Sequence, residues 1–75
     1  MEVLILTSQS VDWEGLFINK RLIDEGHELG PGDKLYILKQ SELYGFKTKD
    51  VIIKEVDDEM EAYLNDCGSF PNELS

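Results

Sequence analysis

Cysteine, arginine, histidine and tryptophan each occur once in this chain of 75 residues, and proline twice. The lone Cys67 excludes an internal disulfide and any metal finger built on several thiolates. That absence matters at this length. Chains near this size bury only about 60% of the surface that the unfolded chain exposes, so a single domain with a thin, unstapled core is expected. Bases are scarce too: 7 Lys and Arg face 16 Asp and Glu, a net charge of −9. This balance argues against direct nucleic-acid binding, which depends on neutralising phosphates. It favours solvation, or steering toward a basic partner. No apolar run approaches the roughly 20 residues of a membrane span. The opening run Val3–Leu6 is too short for a signal peptide and follows Glu2 where a basic segment is required. With one thiol and no span, the expected location is the cytoplasm.

Phosphate-binding loops are also missing. Gly26, Gly30 and Gly32 form neither GxGxxG nor GxxxxGK, and the nearest lysine is Lys34. Gly30-Pro31-Gly32 reads as a turn. Cys67 falls on an apolar helical stripe, which predicts buried packing and not a nucleophile served by His27. With no nucleophile–base pair and no metal framework, the chain reads as non-enzymatic. It calls for no cofactor and no metal.

What is present is a sequence of short elements. Residues 3–7 (VLILT) form a nearly continuous apolar run, as expected of a central strand buried on both faces. Residues 12–18 and 21–26 read as two strands around Asn19-Lys20. Asn19 suits the positive φ of a type I′ turn, whereas glycine is preferred where Lys20 stands; a longer or bulged turn stays open. Residues 33–44 predict a helix ended by Gly45, with Phe46 packing back. Residues 50–56 are a strand. Asp58 and Glu61 then have the spacing of a capping box. Met60, Tyr63, Leu64 and Cys67 make one stripe of an amphipathic helix that Gly68 ends. Asp57, Asp58, Glu59 and Glu61 complement its N-terminal dipole, and the tail packs through Phe70 and Leu74. The expected fold is α+β: a small, mainly antiparallel sheet in the order β-β-β-α-β-α, with two helices packed on one face.

The most informative stretch is 12–29, DWEGLFINKRLIDEGHEL. Folded about Asn19-Lys20, it pairs Ile18 with Arg21, Phe17 with Leu22, Leu16 with Ile23, Glu14 with Glu25 and Asp12 with His27. Alternation then places Trp13, Phe17, Leu22 and Asp24 on one face. Leu16, Ile18, Ile23, Glu14, Glu25, Asp12 and His27 share the other. Two expectations follow. Both faces carry large apolar groups, so a face left uncovered would be a partner or self-association surface, favouring a homo-oligomer. Glu14 opposite Glu25 is a like-charge pair that destabilises a sheet; a salt bridge, a ligand or a divalent ion could offset it. Trp13 is either core or an anchor for a partner or planar ligand. Arg21, beside Phe17 at the turn, is the one side chain with a bidentate fork for a phosphate.

The run Asp12, Trp13, Glu14, Gly15, Leu16, Phe17, followed by Glu25, Gly26 and His27, resembles a pattern of small bacteriophage and bacterial proteins. In that pattern an Asp-Trp-Glu-Gly-Leu-aromatic strand, a tight turn and a Glu-Gly-His stretch follow one another, and the chain ends in a Pro-containing segment like Phe70–Leu74. It covers about a third of the chain. Lys20 departs from it, since glycine is expected there. The resemblance names no activity; it implies a phage accessory protein in the host cytoplasm. The expected function is therefore non-catalytic anti-defence or host takeover, by binding and neutralising a host protein through the hairpin. The expected contacts are Asp12, Trp13, Glu14, Phe17, Arg21, Glu25 and His27. The alternative is an oligomeric sponge for a nucleotide-like signal, held between subunits.

Overall fold

The computed structural model describes residues 1–27, 29 and 34–74. The elements are β1 (Val3–Ser8), β2 (Trp13–Ile18), β3 (Arg21–Gly26), α1 (Lys34–Tyr44), β4 (Val51–Glu55) and α2 (Asp58–Cys67), with one 3₁₀ turn at Thr48–Asp50. They form a single sheet in the order β3-β2-β1-β4. β2 is antiparallel to both β1 and β3, and β1 is parallel to β4. The α+β class, the element order and the central place of β1 agree with the sequence reading. The expected turn at Gly30-Pro31-Gly32 lies outside the described residues.

The helices do not share one face. Val3 and Ile5 of β1, with Leu16 and Ile18 of β2, pack with Tyr36 and Ile37 of α1. Leu6 of β1 and Phe17 of β2 pack instead with Leu64 and Met60 of α2 and with Phe70 of the tail. Alternation along β1 thus sends its odd-numbered residues to α1 and its even-numbered residues to α2. A central strand apolar on both sides needs cover on both. One helix per face supplies it, and the expectation of a wholly uncovered sheet face falls with the one-sided arrangement.

Local signals set the remaining ends. Asn19 and Lys20 both have positive φ, 51° and 68°, the pair that a type I′ turn demands. Gly45 and Gly68 end the helices in the left-handed region, at φ 77° and 74°. The N-cap of α2 is Asp57, one residue before the predicted Asp58: its side chain accepts from the Met60 N–H at 2.8 Å. Cys67 is exposed, contrary to expectation. α2 docks through Met60 and Leu64, and beyond Gly68 the buried Phe70, only 3% exposed, joins the same cluster. The tail then runs along β3. Leu22 N donates to Asn72 O, and Leu74 N to Lys20 O, each at 2.8 Å.

Candidate functional site

A bulge divides the hairpin. Ile18 faces Arg21 and Phe17 faces Leu22, as the turn dictates, but Leu16 faces Asp24, Gly15 faces Glu25 and Glu14 faces Gly26. One extra residue, Ile23, is accommodated on β3. Beyond it the predicted register is wrong by one, and side chains exchange faces. Glu14 and Glu25 are not opposed, so the like-charge pair that called for a cation does not exist.

Each carboxylate has its own role. On the α2 face, one Glu25 oxygen accepts from Trp13 Nε1 at 2.8 Å and from Phe70 N at 2.9 Å. It ties the hairpin to the tail. On the α1 face, Glu14 accepts from Leu29 N at 2.6 Å. Asp24, moved to this face by the bulge, accepts from the Tyr36 hydroxyl at 2.8 Å and anchors α1 to β3. Partial burial and the Asp24 carboxylate both hold the Tyr36 hydroxyl well above its ordinary pKa.

Phe17 is 1% exposed and belongs to the core, so it is removed from the expected contact surface. Its ring meets Phe70 edge to face at 5.5 Å. A Cβ on Gly15 would lie 2.6 Å from Phe70 Cδ2, so glycine is required for this closure. Arg21 sits at the turn end of β3, next to Glu73 at 3.5 Å, both largely exposed. The length of β3, about 20 Å at roughly 3.3 Å per residue, separates it from His27. The seven expected contacts therefore do not form one site.

Three of them do come together, at the open end of the hairpin. His27 Nδ1 lies 2.9 Å from Asp12 O and 3.7 Å from Asp12 Oδ2. Its ring stands edge-on to Trp13 at 4.9 Å. Asp12 holds a positive φ of 52°, which turns the chain so that its carbonyl meets the imidazole. Both polar side chains are exposed, while Trp13 is half-buried. Beside Trp13 is a dent of about 130 Å³ lined by Val11, Leu64 and Gly68. Trp13 thus joins two features: the dent, and the exposed Asp12–His27 pair through its ring contact with His27.

The larger depressions are acidic. A groove of about 710 Å³ has an apolar floor that includes Leu4, Leu6, Met60 and Leu74. Its charged groups are Glu55, Asp57 and Glu73 against Lys54. Another, of about 290 Å³, lies at the C-terminal ends of β1 and β4, where Ser8, Ser10, Glu55, Asp58 and Glu61 meet. Ser10 donates to Glu61 there. Such linings repel phosphates and suit ammonium or guanidinium groups. Among the described residues no cluster of three or more His, Cys, Asp or Glu side chains could hold a metal ion. No helix of the described residues is long and apolar enough to cross a membrane. The chain matches no family model, no curated protein and no solved structure.

Proposed function

We propose that the protein is a non-catalytic, phage-type accessory protein that binds and neutralises a basic host protein. The site is the Asp12–Trp13–His27 corner. The observation that carries this reading is the corner's geometry: Trp13 lines an apolar dent and also meets His27 edge-on, and His27 in turn sits beside an exposed Asp12. An apolar side chain of the partner fills the dent, and a neighbouring Lys or Arg meets Asp12. The net charge of −9 steers such a partner in. Glu14 and Glu25 support the corner from behind through Leu29, Trp13 and Phe70. Acid-lined grooves weigh against the nucleotide-sponge alternative.

The test is affinity capture from bacterial lysate by the tagged chain, beside an Asp12→Asn/His27→Ala double variant of unchanged circular dichroism. A basic protein retained by the wild type, released at high salt and absent from the double variant is the expected result. A partner held equally by both chains overturns the corner as the site. A small-molecule mass on the purified protein, in place of any protein partner, overturns the reading in favour of the sponge.

A further inference from the structure

The two edges of the sheet are finished differently. The outer edge of β3 is paired by the chain's own tail at residues 72–74. Among the described residues nothing pairs with the outer edge of β4. We propose that this edge is covered by β4 of a second copy, antiparallel about a two-fold axis centred on Ile53, which makes one continuous sheet across a homodimer. This inference is independent of the corner and of its partner.

Backbone directions constrain the register. Val56 donates its N–H to Thr7 of β1 at 2.9 Å. By alternation in a parallel ladder, Lys54 and Ile52 also direct their backbone groups at β1. Val51, Ile53 and Glu55 direct theirs outward. The Val51 N–H is taken by Thr48 O, which leaves its carbonyl as the outward group. Centring on Ile53 pairs Ile53 with itself through reciprocal bonds and lets the Glu55 N–H of each copy meet the Val51 carbonyl of the other. Centring on Ile52 uses fewer of these groups.

Side chains agree with an antiparallel match. Ile52 and Ile53 are 51% and 47% exposed, an apolar pair on a bare edge, which soluble domains otherwise avoid. Ile53 is in register with Ile5 and so lies on the α1 face, where Leu35, Leu38 and Leu43 are exposed as well. Charge fixes the direction. One end of β4 is preceded by Lys47, Lys49 and Asp50, which leaves it net basic; the other leads into Asp57, Asp58 and Glu59. Antiparallel pairing sets the basic end of each copy against the acidic end of the other, whereas parallel pairing sets like against like. On the α2 face Ile52 of one copy lies opposite Lys54 of the other.

Sedimentation velocity of the full chain over a concentration series tests this. A wild-type dimer, an Ile53→Lys variant that is monomeric with unchanged circular dichroism, and an Ile52→Glu variant that dimerises more tightly through Lys54 are expected. Lys49→Glu touches only an exposed residue and should weaken the dimer by on the order of tenfold, with recovery in Lys49→Glu/Asp58→Lys. A wild type that stays monomeric at its highest soluble concentration overturns the proposal. So does a dimer indifferent to both Ile53→Lys and Lys49→Glu. If Ile53→Lys unfolds, the Lys49 and Asp58 pair decides alone.

Discussion

The β3 edge and the β4 edge show two ways to end a sheet in a chain too short for a large core. At β3 the protein folds back on itself. Phe70 enters the core against Phe17 and Gly15, Glu25 accepts from both Trp13 and the Phe70 backbone, and residues 72–74 pair with the strand. At β4 the edge is bare, with every residue from Ile52 to Glu55 exposed. The first edge stabilises the monomer; the second leaves hydrogen-bonding groups and isoleucines available to another chain. An acidic protein can carry such an edge because its charge discourages indiscriminate association.

The largest effect should follow from opening the closed edge. Phe70→Ala removes a buried ring and should cost about 3–5 kcal/mol in urea unfolding. That is a large share of the stability a domain of this length commands. Gly15→Ala pushes a methyl into the same ring and should cost about 1–3 kcal/mol. If the ring is the obstacle, the Gly15→Ala cost should shrink in a Phe70→Leu background, since neighbouring substitutions couple. Full additivity would show that the strain lies elsewhere.

The same edge shows what was legible in the sequence. The turn at Asn19-Lys20 and the limits of β3 followed from alternation and turn chemistry, and Phe70 and Leu74 were read as packing groups. The register beyond Phe17 was not, because strict alternation has no place for Ile23 as an extra residue. One signal was present: in the unbulged register Asp24 shares a face with Trp13 and Phe17, a carboxylate among aromatics. The bulge removes that conflict by giving Asp24 to Tyr36, and it carries Glu25 to Trp13 in the same step. The corner was readable in part, since pairing Asp12 with His27 across the open end brought those two residues together. Its packing on Trp13 was hidden behind the register. The two-sided placement of the helices was implied by a β1 that is apolar on both faces. Exposure of Cys67 was not legible, because helical periodicity cannot say where a helix's contact with the sheet stops.

Glu25 gives the next largest effect and separates a supporting role from a contact role. Glu25→Ala leaves the Trp13 Nε1–H and the Phe70 N–H without their acceptor, at a cost of about 2–3 kcal/mol. Glu25→Gln keeps an oxygen in place and should cost about 1 kcal/mol or less. Tryptophan fluorescence should shift for the alanine variant and barely for the glutamine. If both variants keep full stability and lose only the captured partner, Glu25 belongs to the binding surface and the closed edge rests on Phe70 alone.

The smallest effect lies at the turn that starts the β3 edge. Lys20 holds φ at 68°, where an L side chain costs about 1–2 kcal/mol. Its carbonyl, not its side chain, receives the Leu74 N–H. Lys20→Gly therefore relieves strain without touching the tail pairing, and the extra freedom of glycine in the unfolded chain offsets part of the gain. A net stabilisation of about 0.5–1 kcal/mol is expected, seen as a higher urea midpoint at unchanged slope. A loss of stability would instead mean that the Lys20 stem packs against the edge. In that case the Lys20 side chain would add a packing contact at the residue whose carbonyl already closes this edge on Leu74.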